Sequence, residues 1–121
     1  MKQENKELLL KDLCVRVPYG VKVQYMNNIF VIDYVSSYEE VKLDIPDNWT
    51  VGVSEVKPYL FPLSSMTEKQ KKEYQYITER WMYDPSYSIS DSTDWLNKNH
   101  FDYRGLIEKG LAIDATGLNI Y

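Results

Sequence analysis

One short stretch of the chain gathers the residue types that general acid–base chemistry uses. The only histidine, His100, is followed closely by Asp102 and Arg104. Together they could supply a base, a carboxylate that orients it and a guanidinium that binds an anion. Histidine suits proton transfer because its ordinary pKa lies near neutrality. These three residues are therefore the candidate catalytic group of a small hydrolase or transferase.

Capping rules give the same residues a structural interpretation. Asn99 is a suitable end for one helix and Asp102 a suitable N-cap for the next, so that its carboxylate accepts hydrogen bonds from backbone N–H groups. A histidine near a helix C-terminus is also stabilised by the helix dipole without any catalysis. No nucleophile motif such as G-x-S-x-G accompanies it in the sequence. We therefore interpret the stretch as a junction between helices and expect His100 and Arg104 to share no cavity.

Composition argues against metal and cofactor sites. With one cysteine and one histidine, the chain cannot build an internal disulfide or a four-ligand zinc site of the usual type. Asp91 and Asp94 are spaced to share a helical face, as the carboxylates of a metal site would be. They lie at a predicted helix start, however, where Asp91 or Ser92 is expected to cap the helix. The sequence also has no glycine-rich phosphate loop. We expect no metal and no cofactor, and we expect Cys14 to be a small buried apolar residue.

Nucleic-acid binding has one candidate stretch, in which cations alternate with aromatic residues: Lys69, Lys71, Lys72 and Arg80 with Tyr74, Tyr76 and Trp81. Aromatic rings beside cations can stack on single-stranded bases. Three glutamates in the same stretch cancel much of the positive field, and the whole chain has a net charge of −4. A weak single-strand binder therefore remains only an alternative, and a solvated helix face is favoured.

The first half of the chain predicts a helix and then a sheet. Leucines at helical spacing indicate a helix over residues 4–16, which Pro18 ends. Three alternating apolar and polar segments and one nearly continuous apolar segment, residues 29–35, predict four short strands over 21–56. Tight turns join them, including one at Asn27-Asn28 and one around Asp47-Asn48. Strands of this length and spacing are typical of a small curled antiparallel meander.

The second half predicts connecting and covering elements. Residues 57–63, KPYLFPL, are extended because proline restricts the residue before it. A Thr67-x-x-Gln70 capping box opens a central helix over 67–83. A short helix at Trp95, another over 103–109 that Gly110 ends, and a hairpin over 111–120 follow. We predict a single α+β domain over residues 1–121, in which the N-terminal and central helices pack on the meander and a helical and hairpin cap completes it.

Tyrosine is over-represented, with 11 residues against 3 phenylalanines and 3 tryptophans. Tyrosine suits contact surfaces because a polar hydroxyl tips an apolar ring, although it also suits the edges of a thin sheet. The best binding candidates are Tyr59 and Phe61 of the extended strap, Tyr74 and Trp81. The leading hypothesis is a non-enzymatic protein-interaction module with an unknown protein partner, cytoplasmic and without a membrane span. The oligomeric state is left open.

Three blocks of sequence carry a resemblance: KELLLKDLCVRVPYGVKVQY, VKPYLFPLSSMTE and DWLNKNHFDYRGLIEKGLAI, which together cover about half of the chain. They resemble a family of small uncharacterised proteins of gut bacteria and their prophages or mobile elements. Members of that family often have a longer insertion before DWLN and a different tail, whereas residues 85–93 are the whole of that region here. The resemblance implies an accessory role in a phage or mobile element and transfers no activity, cofactor or catalytic residue.

Overall fold

A mostly antiparallel sheet with helices around it forms the fold, and the predicted α+β class is confirmed. The computed structural model describes residues 1–36, 38–46, 50–80, 82–86 and 88–121, with only the backbone described at Ile89. The helices are α1 (Gln3–Arg16), α2 (Glu68–Arg80) and α3 (Ile89–Lys98). The strands are β1 (Lys22–Tyr25), β2 (Asn28–Val35), β3 (Glu40–Leu43), β4 (Val51–Gly52), β5 (Lys57–Pro62), β6 (Phe101–Asp102) and β7 (Ile113–Asp114).

The first four strands form the predicted meander, in the spatial order β4-β3-β2-β1. The turn between β1 and β2 lies one residue earlier than predicted, because Met26 and Asn27 are the residues with positive φ. The fourth strand is shorter than predicted, since a 3₁₀ turn at Val53–Glu55 follows Gly52. The predicted turn at Asp47-Asn48 lies outside the described residues, as do Trp49 and Trp81. Among the helices described, none is long and apolar enough to cross a membrane.

Strand β5 corresponds to the extended segment predicted over residues 57–63, and it is an internal strand of the sheet. It pairs antiparallel with β1 and parallel with both β6 and β7. Tyr59 is 6% exposed and Leu60 is 0% exposed. The extended conformation is confirmed, and Tyr59 and Leu60 pack within the sheet instead of forming an exposed binding surface. Apolar residues between two prolines form a buried strand here because neighbouring strands satisfy the backbone groups on its edges.

Helix α1 covers the meander and completes the core. Leu9 and Leu13 are fully buried against apolar residues of the strands and of the C-terminal turns, including Val21, Val41, Leu60, Leu106 and Leu111. Burial of large aliphatic side chains of this kind contributes roughly 1.5–3 kcal/mol each. Cys14 is exposed, so the expectation that it is buried is wrong. The buried residues of α1 are Leu9, Leu13 and the charged pair Asp12 and Arg16.

The central helix α2 packs mainly against α3, and α3 contacts β6. The Thr67–Gln70 capping box is present: the Thr67 N–H donates to Gln70 Oε1 at 2.9 Å and the Gln70 N–H donates to Thr67 Oγ1 at 3.2 Å. At the start of α3 the Asp91 carboxylate accepts the Ser88 N–H at 2.7 Å. Asp91 therefore caps from the third helical position, and neither Asp91 nor Ser92 is the N-cap.

The C-terminal region differs from the predicted helix and hairpin. Residues 103–109 form turns, which close as expected with Gly110 at φ +73° and the Leu111 N–H bonded to Leu106 O. The hairpin is not formed, because Ile113 and its neighbour Asp114 pair in parallel with β5. A parallel contact between residues so far apart in sequence cannot be recognised from a local turn motif.

A buried ion pair ties α1 to the C-terminal half of the chain. Arg16 Nε donates to Asp12 at 2.7 Å, and Arg16 Nη2 donates to the Phe101 carbonyl of β6 at 2.6 Å. Arg104 Nε donates to the second Asp12 oxygen at 3.2 Å. Both Asp12 and Arg16 are 0% exposed. Bonds between charged groups in such surroundings are stronger than neutral ones and set the position of α1 over the sheet.

Replacing Arg16 by Met removes the buried cation while keeping an unbranched apolar stem. We expect the free energy of unfolding to fall by about 3 kcal/mol, because Asp12 loses its closest partner and stays buried. Urea unfolding followed by circular dichroism measures the change. The matched control is Lys11→Met on the exposed face of α1, for which we expect a change below about 0.5 kcal/mol. A loss of less than about 1 kcal/mol for Arg16→Met would contradict this account.

Candidate functional site

The three residues of the candidate catalytic group lie close in sequence, but each has a different partner. His100 follows the end of α3 with φ +62°, a left-handed conformation that histidine tolerates better than most residues. Its ring stacks on the ring of Tyr121, with centroids 3.6 Å apart and an interplanar angle of 10°. His100 Nδ1 is buried and has no hydrogen-bond partner among the described atoms. The imidazole is thus covered by an aromatic ring.

Asp102 acts as a backbone cap. Its Oδ1 accepts the N–H groups of Arg104 at 3.2 Å and Leu106 at 3.0 Å, and its Oδ2 accepts the N–H of Ile107 at 2.9 Å. The residue is 8% exposed. A carboxylate that holds three backbone donors is already satisfied, which is the role that the capping interpretation predicted.

Arg104 points toward α1, where its Nε binds Asp12. A hollow of about 340 Å³ lies beside Asp102, and the described residues that line it include Tyr103, Gly105 and Glu108 but neither His100 nor Arg104. General acid–base catalysis needs base and orienting group within hydrogen-bond reach of one substrate position. Among the described residues, the side chains of His100, Asp102 and Arg104 are directed to three different partners.

Burial and nearby positive charges make His100 a weak base. Burial, followed by the positive charges of Arg16 and Lys22, lowers the pKa of His100 from 6.5 to about 4. The imidazole is therefore neutral at pH 7. In contrast, burial raises the pKa of Asp12, although Arg16 and Arg104 oppose that change. A base with a pKa near 4 abstracts protons poorly at neutral pH, which removes the usual advantage of histidine.

The lowered pKa of His100 predicts how stability depends on pH. Between pH 6.5 and about 4 the unfolded chain binds a proton at this residue that the folded protein does not. Stability contributed by neutral His100 is therefore fully present above pH 6.5 and is lost as the pH falls toward 4. Allowing for solvent screening of a partly exposed ring, we expect this loss to be about 1 kcal/mol.

The matched variant is His100→Asn, because asparagine tolerates the positive φ and does not titrate. The free energy of unfolding, measured by urea titration at intervals from pH 7 to 4.5, should fall less steeply for this variant than for the original protein. Equal slopes would show that His100 is not the group responsible.

An open apolar groove lies between α2 and α3. It has a volume of about 500 Å³ and is lined by Lys72, Glu73, Tyr76, Ile77 and Trp95. We call it the α2–α3 groove. Its floor is apolar, and its two charged residues, of opposite sign, come from adjacent positions of α2. Open apolar surfaces rimmed by polar residues are typical of interaction sites.

A chain of aromatic contacts holds the groove on the domain. The Tyr74 ring of α2 lies 5.6 Å from the Trp95 ring of α3. Trp95 in turn stacks on Phe101 of β6 at 5.7 Å, with an interplanar angle of 12°. Aromatic pairs at these distances contribute about 0.5–1.5 kcal/mol beyond burial of their area. They position α2 away from the core, and none of the α2 side chains is fully buried.

Exposed apolar residues continue from the groove toward the end of α2. Tyr76 is 54% exposed, and the two residues Met82 and Tyr83 that follow the helix are also largely exposed. The Arg80 guanidinium lies 5.1 Å from the centre of the Tyr76 ring. Beside it Tyr76, Glu79, Arg80 and Tyr83 line a smaller hollow of about 160 Å³. The surface therefore combines aromatic rings with charges of both signs.

The binding residues chosen from the sequence lie in different places. Tyr59 is buried in β5, and Phe61 is partly buried. Tyr74 is partly buried and supports the groove from behind through Trp95. Trp81 lies outside the described residues. The sequence did not single out Ile77 and Trp95 as binding residues, because only the packing of α2 on α3 brings them together. Tyr76 could have been recognised as a binding residue from the sequence, because it is an aromatic residue within a run of charged ones.

The cations of the nucleic-acid candidate are accompanied by acids. Lys71 Nζ lies 3.3 Å from Glu68, and Lys72 borders the groove together with Glu73. Surface charges of mixed sign give little long-range attraction for a phosphate backbone.

In the described parts of the chain, no group of three or more histidine, cysteine or acidic side chains could hold a metal ion. Comparison with family models, curated proteins and solved structures finds no match to this chain.

Proposed function

We propose that this chain is a non-enzymatic protein-interaction module and that the α2–α3 groove binds its partner. The observation that carries the proposal is the position of α2, which presents Tyr76 and Ile77 to an open apolar groove instead of burying them in the core. An exposed aromatic surface costs solubility unless it is used, and aromatic residues are enriched in the energetic centres of interfaces.

The occupant that best suits the groove is an amphipathic helix of a partner protein. Helix α2 supplies four of its lining residues and α3 supplies Trp95. The lining is mostly apolar, and Lys72 and Glu73 are its charged residues. Helices bind such grooves through apolar residues at helical spacing, while charges at the rim set orientation. An accessory role in a phage or mobile element rests on the sequence resemblance alone.

The alternatives have less support. Catalysis by His100, Asp102 and Arg104 is less well supported, since their side chains contact Tyr121, backbone N–H groups and Asp12. Single-strand binding would use the cations of α2, but Glu68, Glu73 and Glu79 interleave with them. We therefore retain protein binding as the proposed function.

Photo-crosslinking tests the groove directly. A benzoyl-phenylalanine placed at Tyr76 should crosslink to one partner in extracts of the native host, and the crosslinked peptide should come from an amphipathic helix. The matched control places the same residue at Tyr38, which is 83% exposed and far along the chain in the turn before β3. Mass spectrometry identifies the crosslinked protein and peptide.

Substitution provides the second arm. Tyr76→Ala and Ile77→Ser should each reduce capture of that partner at least tenfold, since loss of an aromatic or aliphatic anchor costs about 1.4 kcal/mol or more. Tyr38→Ser should leave capture unchanged, and thermal unfolding checks that all variants are folded. Equal capture by the groove variants and by Tyr38→Ser would overturn the assignment of the groove.

A further inference from the structure

Tyr121 occupies a slot formed by strands β1 and β5 and by His100. Its ring stacks on His100, and the Phe61 ring lies 6.0 Å away, inclined by 55°. Its hydroxyl accepts the backbone N–H of Lys22 at 2.8 Å and donates to the Tyr59 carbonyl at 2.8 Å. The slot thus offers an aromatic ring for stacking, a backbone N–H donor and a carbonyl acceptor. Together these groups suit a phenol, which has a flat ring and a hydroxyl that both donates and accepts.

The slot lies where two strands of the sheet diverge. Val23 of β1 pairs with Pro58 of β5, so the next residues, Lys22 and Tyr59, face each other at the end of this ladder. The Tyr121 hydroxyl bridges their backbone groups. Farther along β5 the Phe61 N–H donates to His100 O at 2.8 Å, where β6 begins. The backbone donor and acceptor of the slot are therefore held in place by the sheet itself and do not depend on the segment that carries Tyr121.

That segment, residues 116–121, has few other attachments to the domain. Leu118 is 49% exposed, and Asn119 has φ +53°. Besides the contacts of Tyr121, one bond joins the segment to a strand of the meander, from Lys22 Nζ to the Ile120 carbonyl at 2.7 Å. Tyr121 itself is 40% exposed, although its hydroxyl lies between two strands. Segments with few buried contacts open locally at much lower free energy than the core.

We propose that this slot is a tyrosine-binding site and that segment 116–121 is its exchangeable intramolecular ligand. A tyrosine side chain in an extended segment of a partner protein binds the slot by displacing Tyr121. The site is independent of the α2–α3 groove, since it is formed by β1, β5 and His100.

The probe is a synthetic peptide with the sequence of residues 115–121, ATGLNIY, added to the variant Tyr121→Ala. Titration followed by NMR should show saturable binding, with shifts at the Lys22 and Phe61 amides. The same peptide with Phe in place of Tyr should bind about fivefold more weakly, because it loses the hydrogen bonds of the hydroxyl. Protein that retains Tyr121 should bind the tyrosine peptide at least tenfold more weakly than the variant, because its slot is occupied.

Two controls keep the test independent of folding and of the groove. Leu118→Ala, in the same exposed segment, should bind the peptide no better than the protein with all native residues. Tyr121→Ala with Tyr76→Ala should bind it as well as Tyr121→Ala alone. If Tyr121→Ala is folded by circular dichroism and shows no saturable binding, or binds the Phe peptide equally well, the slot is not a tyrosine site. If Tyr121→Ala does not fold, Tyr121 is a structural plug and the proposal fails.

Hydrogen exchange tests whether Tyr121 detaches without unfolding. The Lys22 amide, bonded to the Tyr121 hydroxyl, should exchange at least tenfold faster than the Phe61 amide, bonded to His100 O. Equal protection of the two amides would show that Tyr121 leaves only when the strands separate, and an exchangeable ligand would then be ruled out.

Discussion

The buried contact between Arg16 and its partners is the constraint on which the rest of the structure depends. One guanidinium binds Asp12 within α1 and the Phe101 carbonyl in β6, which joins the first helix to a strand about 85 residues later in the chain. Burying an ion pair has a large desolvation cost, so it persists only where several hydrogen bonds compensate for it. Arg104 supplies one more bond to the same carboxylate. The pair therefore connects α1 to the sheet and to the turn that follows β6.

This placement decides what the histidine stretch does. Arg104 binds Asp12, and the Asp102 carboxylate accepts three backbone N–H groups. His100 has a left-handed backbone conformation, and its ring stacks on Tyr121. The residues that resemble a catalytic group in the sequence form the connection between α3 and the core. Arg16 also contributes to lowering the pKa of His100, so the same buried cation disfavours proton transfer there.

Some aromatic residues pack the helices and strands together, and others are exposed and available for binding. Tyr74, Trp95 and Phe101 form a chain of ring contacts that fixes α2 on the domain. Tyr76 lies two residues beyond Tyr74 and faces outward, because residues two apart on a helix do not share a face. The tyrosine excess therefore reflects both roles, since the same residue type packs the sheet at Tyr59 and lines an open groove at Tyr76.

Local patterns in the sequence determined the fold class, the four-strand meander, the Thr67–Gln70 capping box, the Asp102 cap and the Gly110 turn. Each depends on residues within a few positions of one another, where spacing and backbone preference are sufficient. Only the tertiary structure decided that the 57–62 strap is an internal strand, that Cys14 is exposed and that Asp12 and Arg16 are buried. It also decided which aromatic rings form the groove and where Tyr121 lies. These features depend on pairings between distant residues, and a charged residue is predicted to be buried only when its partner is known.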